Sequence, residues 1–314
     1  KAIWCCKTME TKFGTGILRS ENFKIKLMNR REFIQRSALA SAGAYLYACG
    51  ASPAASKTMG IQLYTLRNII GGDVKGTMQK VADIGFKELE CYSYGNGQIF
   101  GMPYGDFNSM IKDMGMKITS GHYSLGLAHP EQPSTITNGW EAAVADAKNI
   151  GQEYMVLAYL DQTERETMDQ YKQTCEMLNK ANETCKSAGI KLAYHNHEFE
   201  FVEIDGQIPY DVMLQELDPS ISMELDLYWI TYAGKDPLAY FNQYPGRFHQ
   251  WHVKDMDKAN PKMQADVGSG AIDFKAIFAK AEQAGLVHFY LEQENYASSE
   301  FESVTNGYNY LKTI

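Results

Sequence analysis

From residue 59 onward, short apolar or alternating runs take turns with stretches of helical period. The runs fall at 59–65, 87–92, 117–123, 154–159, 190–197, 221–226, 249–254 and 287–292, and their pattern predicts strands. The clearest helical stretch is 164–187, where Met168, Tyr171, Cys175, Leu178 and Cys185 share one face. A second is 273–284, with Phe274, Ile277, Phe278 and Ala281. Gly85, Gly115, Gly189 and Gly285 each stand between a helical pattern and the next strand, where a left-handed C-cap favours glycine. Strand, crossover and glycine stop recur as one unit. The fold predicted is α/β, a parallel eight-stranded (β/α)8 TIM barrel over 59–314. The rival is an open doubly wound sheet, which calls for a glycine-rich phosphate loop after the first strand. Gly71-Gly72 reads as a plain loop instead.

The first fifty residues follow another pattern. Met28-Asn-Arg-Arg-Glu-Phe-Ile-Gln resembles a twin-arginine export signal, with Arg30 and Arg31 followed by Phe33 and Ile34. A short apolar run, 37–48, is below the roughly 20 residues a spanning helix needs. It ends in Leu46-Tyr47-Ala48-Cys49, similar to a lipobox except for the bulky Tyr47. Residues 28–49 are therefore expected to be an export signal of lipoprotein type, and 50–58 a tether. Residues 1–27 are expected to be an over-extended reading frame, because Met28 stands where a signal would begin. The alternative for 28–49 is an amphipathic helix that happens to begin Arg-Arg. The expected location is exported, periplasmic or lipid-anchored, with membrane contact only through an N-terminal anchor.

Composition and charge narrow the function. The chain has 314 residues, 45% of them hydrophobic and 22% charged, ordinary values for a globular chain with a large core. The formal net charge is −8, but residues 1–48 hold nine Lys or Arg against three Asp or Glu. The remainder is near −14, a balance that repels phosphate backbones and argues against a nucleic-acid partner. The six cysteines form no CxxC pair. Cys175 and Cys185, on one predicted helix, are separated by about 15 Å and cannot bridge.

Ligand-type side chains gather at the ends of the later strands, which is where chemistry sits in such a barrel. The strand-five segment contains His195 and His197, strand six ends with Glu224 and Asp226, strand seven with His252 and Lys254, and strand eight with Glu292 and Glu294. Strand alternation puts each pair on one face. Charged groups gathered in that way need pairing or an ion. Imidazoles and carboxylates together suit a divalent metal, and mixed nitrogen and oxygen donors favour Mn, Zn, Fe or Co over Ca. Taken singly, each residue has a plainer reading: His195 as a core histidine, Asp226 as a helix cap, Glu292 as a surface charge. His249 and His288 stand at strand starts and read as structural.

Six segments carry a resemblance. Gly60-Ile-Gln-Leu-Tyr-Thr-Leu-Arg67, Tyr194-His-Asn-His-Glu-Phe-Glu-Phe201, Glu224-Leu-Asp-Leu-Tyr-Trp229, His252-Val-Lys-Asp255, Gly268-Ser-Gly-Ala-Ile-Asp-Phe274 and Leu291-Glu-Gln293 are similar to the xylose-isomerase-like barrel family. That family is often labelled sugar phosphate isomerase/epimerase. It also includes inosose dehydratases, ketose 3-epimerases and endonuclease-IV-like enzymes. The resemblance implies metal ligands at His195, Asp226, His252 and Glu292. It implies sugar contacts at Glu90 and His122, with a solvated charge and a loop contact as their plainer readings. One departure is His195, because epimerases of the family usually carry Glu there; inosose dehydratases are closer in this respect. Trp229 also stands where many relatives carry His.

The expectation is a divalent-metal-dependent sugar isomerase or epimerase that forms an enediolate beside a sugar carbonyl. Mn is the first choice of metal, with Zn, Co, Fe or Mg as the others. Glu292 or His197 is the expected base, assisted by Glu200 or Lys254. Tyr64, Trp229 and Trp251 either stack on the sugar or belong to the core. The first alternative is a lyase or dehydratase acting on 3-keto-glycosides or inososes. The second is an exported lipoprotein that binds sugar without turnover, favoured by the leader and the aromatics and opposed by the metal constellation. The expected partner is a small neutral sugar or keto-glycoside, since no basic cluster for phosphate stands near the strand ends. The sequence is compatible with an oligomer.

Overall fold

The computed structural model describes residues 58–314. The proposed extension at 1–27, the export signal at 28–49 and, apart from Thr58, the tether at 50–58 lie outside the described residues. Among the described residues no helix is long and apolar enough to cross a membrane.

Eight parallel strands close into a barrel in sequential order: β1 (Gly60–Gln62), β2 (Glu88–Cys91), β3 (Lys117–Ser124), β4 (Tyr154–Tyr159), β5 (Lys191–His195), β6 (Ser222–Asp226), β7 (Gln250–Val253) and β8 (His288–Leu291). The chain crosses between them through α1 (Val74–Ile84), α2 (Tyr104–Asp113), α3 (Trp140–Ile150), α4 (Met168–Ala188), α5 (Pro209–Glu216), α6 (Leu227–Tyr232), α7 (Pro237–Gln243), α8 (Phe274–Phe278) and α9 (Ala281–Ala284). A last helix, α10 (Glu300–Leu311), follows β8. The glycines singled out in the sequence take positive φ: 122° at Gly85, 73° at Gly115, 78° at Gly189 and 82° at Gly285.

Most strand bounds shift by a residue or two, and several larger differences from expectation have local reasons. The first strand stops at Gln62, because the Gln62 side chain accepts the Tyr64 N–H and turns the chain into a 3-10 helix. The fifth stops at His195, because the His197 N–H donates to the Glu200 carboxylate in a tight turn. The long helix begins at Met168, where Thr167 and Gln170 close a capping box. Glu164, expected inside it, closes a box of its own with Asp161. The stretch 273–284 is two short helices, α8 and α9, because Lys280 leaves helical geometry.

The main core lies between the outer face of the barrel and the helices. Leu89, Met155, Leu157, Leu192, Met223 and Trp251 are all fully buried there. Trp251, a candidate for sugar stacking, belongs to this layer and stacks flat on Phe241 at 5.1 Å. The barrel interior is largely polar, apart from a small cluster of Tyr154, Val156 and Ala193. At the strand starts His288 sits between Glu88 (2.7 Å) and Glu153 (3.3 Å), a structural ion-pair cluster. Gly60 is required where the Tyr290 ring crosses β1, since a Cβ there would lie 2.4 Å from that ring.

Candidate metal centre and active site

At the C-terminal ends of β5 to β8, His195, Asp226, His252 and Glu292 bring one donor atom each within 4.8 Å of one another. Register explains the convergence: His195 lies beside Glu224, and Asp226 beside His252. All four are buried. Each offers one atom, and three of them have the other tied down. His195 Nδ1 donates to the Ala158 carbonyl (3.1 Å), which leaves Nε2 facing Asp226 Oδ2 at 3.3 Å. Burial, reinforced by His252 and His122, holds His195 well below the usual histidine range, so Nε2 carries a bare lone pair. Asp226 Oδ1 accepts the N–H groups of Tyr228 and Trp229, both at 2.9 Å, and so caps α6. The helix-cap reading and the ligand reading are thus both satisfied, by different oxygens. His252 Nε2 lies 2.5 Å from the Glu90 carboxylate, and its Nδ1 lies 2.6 Å from Glu292 Oε2. Nδ1 and Oε2 are buried and have no partner in hydrogen-bond geometry. Two imidazoles and two carboxylates aimed at one point fit a divalent ion of the borderline class.

Lys254 completes this layer. Its ammonium lies 3.0 Å from each of Asp226, Glu292 and Glu294. Burial opposes its charge, but these carboxylates raise its pKa well above the usual lysine value. Glu292 is held below the carboxylate range, because Lys254 and His252 outweigh the penalty of burial. Beneath lies a second ring of Glu90, His122, Glu224 and His252, whose donor atoms also fall within 4.8 Å. Glu90 accepts from Gln62 (2.8 Å) and Ser120 (2.6 Å), and Ser120 in turn accepts from Gln250 (2.8 Å). Burial, and then the neighbouring Glu90, pushes Glu224 up to about 7. His122 rises to about 9, because Glu90 and Glu224 outweigh burial.

A cavity of about 540 Å³ opens above the donors. Tyr64, His122, His195, His197, Trp229, Lys254 and Glu292 line it, so most of the candidates from the sequence meet there. Two do not. Glu90 is fully buried beneath His252, occupied by Gln62, Ser120 and the imidazole, and does not line the cavity. Glu200 is also fully buried; its carboxylate accepts from the Tyr194 hydroxyl (2.6 Å) and the His197 N–H (2.8 Å). It shapes the turn that presents His197 and does not line the cavity. The cavity wall also holds Tyr159, Arg165 and Phe199, which sequence reasoning missed, since neither strand alternation nor ligand chemistry marks them.

Asp255 accounts for another of the shared segments. Its carboxylate accepts the N–H groups of Gly268 and Gly270 (both 2.9 Å) and Ile272 (3.1 Å), which folds the Gly268–Ile272 loop against the end of β7. A Cβ at Gly270 would lie 2.2 Å from that carboxylate.

Known proteins share this architecture. A family model described as xylose isomerase-like TIM barrel matches residues 78–313. A sugar phosphate isomerase/epimerase from Parabacteroides distasonis superposes with a TM-score of 0.71 at 29% identity, covering 81% of this chain and 97% of that one. Inosose dehydratase of Lacticaseibacillus casei is 26% identical over 165 residues, 46% of this chain and 55% of that protein. The chain thus spans about half the length of the curated relatives it matches. The IolI protein, solved with a bound zinc atom, has the same fold at 13% identity and a TM-score of 0.64, covering 82% of this chain and 98% of that one.

Proposed function

The chain belongs to the xylose isomerase-like TIM barrel family, and from that premise we propose that it is a divalent-metal-dependent sugar isomerase or epimerase working through an enediolate. The observation that carries this reading is the set His195, Asp226, His252 and Glu292, with one donor atom of each aimed at a common point under an open cavity. A divalent ion held there, manganese by this proposal, supplies Lewis-acid polarisation of a sugar carbonyl and stabilises the charge of the enediolate. The protein's own groups do the rest. His197 lines the cavity through its ring, while its Nδ1 is buried and has no hydrogen-bond partner. Burial, His195 and Lys254 hold its pKa well below the usual value, which keeps it neutral at pH 7 and lowers its basicity; by this proposal it takes the proton from a carbon that the bound ion would acidify. Lys254 keeps positive charge against Glu292 and Glu294 as negative charge grows on the substrate. Tyr64 and Trp229 offer aromatic faces to the sugar.

A second reading, β-elimination from a 3-keto-glycoside or an inosose, is favoured by one observation. The β5 donor is His195, so a pair of glutamates passing the proton between them is absent from this donor set. The likeness to inosose dehydratases supports the same reading. Both routes start from the same proton abstraction and diverge in the fate of the enediolate, which is either reprotonated or expels a β substituent. The proposal also includes export through residues 28–49, supported by the sequence pattern alone.

The test is product analysis. The manganese-loaded chain is incubated with free ketoses, inososes and methyl 3-keto-β-glucoside, beside His252→Ala. New epimers or isomers support the first reading, and released methanol or a dehydrated inosose the second. A chain that binds no divalent ion and converts none of these substrates overturns both.

A further inference from the structure

The metal centre occupies only the floor of its cavity. On one side the wall continues outward as an unbroken run of rings. His197 lies 4.9 Å from His195 and stacks on Phe199 at 5.4 Å with planes 4° apart. Tyr159 meets both edge-on, at 5.1 Å from His197 and 5.6 Å from Phe199. Arg165 covers the Phe199 ring, with its guanidinium carbon 3.6 Å from the centroid. This wall belongs to the end of β4 and the segments after β4 and β5, away from the donors of β6 to β8.

Two features of the wall are out of keeping with packing alone. Tyr159 leaves 45% of its surface uncovered, although it borders a cavity lined with aromatic rings. Arg165 spends its Nε on the Leu160 carbonyl (2.9 Å) and one Nη2 contact on the Tyr159 hydroxyl (3.4 Å). Among the described residues no carboxylate forms a salt bridge with it. A guanidinium stacked on an arene keeps its N–H edges free for in-plane acceptors. The cavity, about 540 Å³, is of the size that suits ligands larger than a lone sugar ring.

We infer that Tyr159, Phe199 and Arg165 form an outer subsite for a second ring, so that the substrate is a two-ring glycoside rather than a free monosaccharide. The reacting sugar lies over the donor set. The ring joined to it stacks on the exposed Tyr159 and meets the edge of Phe199, whose faces are taken by Arg165 and His197, and its hydroxyls accept from Arg165. This deepens the proposed function and rests on it, since the donor set fixes which ring reacts. It holds equally for epimerisation and for elimination.

The test separates binding from turnover. Calorimetry on the manganese-loaded full chain compares methyl β-glucoside with 4-hydroxyphenyl β-glucoside; both lack a ring carbonyl and so do not react. The aryl glycoside is expected to bind about tenfold more tightly, the gain typical of one well-stacked ring. Tyr159→Ala and Phe199→Ala are each expected to cut that ratio below about threefold, and Arg165→Ala to reduce it. Tyr159 is exposed, so its variant carries the test even where Phe199→Ala fails to fold. Equal affinities in the intact chain, no measurable binding of either glycoside, or a ratio that survives Tyr159→Ala overturns the subsite. Turnover of methyl 3-keto-β-glucoside is measured separately. Conversion of that compound with no aryl preference removes the subsite and leaves the proposed function standing. An aryl preference without conversion of any keto-sugar does the reverse.

Discussion

Glu90 faces the nitrogen of His252 that points away from the donor cluster, at 2.5 Å and in complete burial. A carboxylate in that position fixes the ring and makes its other nitrogen a better donor. Glu90→Gln keeps the shape and removes the charge. Manganese affinity is expected to fall by about 10–100-fold, measured by calorimetric titration; unchanged affinity would remove this supporting part from Glu90. Glu200 poses a different residue-level question. Burial raises its pKa to about 8, although Tyr194 and the His197 N–H both donate to it. The folded state therefore holds a proton that the unfolded chain releases near 4.5. Between those two values the native state binds more protons, so this group's contribution to stability falls as pH rises. Glu200→Gln mimics the protonated form and is expected to flatten the fall in Tm between pH 5 and 8; an unaltered slope would refute the assignment. Neither role was legible in the sequence. The Glu90–His252 pairing spans 162 positions, and Glu200 lies in a turn where strand alternation no longer predicts direction.

At the scale of elements, Asp255 holds the β7 end to the Gly268–Ile272 loop through three backbone N–H groups, and it is itself buried. Asp255→Ala leaves those donors without a partner and is expected to cost about 2–4 kcal/mol in denaturant unfolding. A loss below about 0.5 kcal/mol would mean that water replaces the carboxylate, as at ordinary surface sites. Gly60→Ala tests the opposite kind of contact. Its new methyl would overlap the Tyr290 ring, and overpacking of that sort costs about 1–3 kcal/mol. The strands were legible because eight short apolar or alternating runs are bounded by turns and helical stretches. Their inward faces were legible because ligand chemistry marks them: His195, Glu224, Asp226 and His252 all point into the barrel. The wall of Tyr159, Phe199 and Arg165 was not legible. Its residues come from loops and a strand end, where neither period applies, and aromatic residues are common in cores.

For the molecule as a whole, a cation held by the four donors would be coupled to the fold. Burial opposes charge on His252, but Glu224, Glu292 and Glu90 raise its pKa well above the usual value, so it carries a proton at pH 7 when no ion is bound. An ion ligated at Nδ1 displaces that proton. Calorimetry in buffers of different ionisation enthalpy is expected to register about one proton released per manganese bound, with affinity rising as pH increases. No release would place the ion elsewhere. Saturating manganese at a hundredfold above Kd is expected to add about 2.7 kcal/mol of stability, reversed by a chelator.

The tethering of the donors reaches further than their convergence. Asp226 has one oxygen committed to α6, His195 has one nitrogen committed to Ala158, and His252 has one committed to Glu90. A carboxylate pinned in this manner cannot swing round to chelate. An ion held by this set would therefore draw one donor atom from each of these residues and would have room to accept oxygens from a bound molecule. On the proposed function, a molecule with vicinal oxygens, such as an α-hydroxyketone, would be the guest that such an ion could grip with two atoms at once.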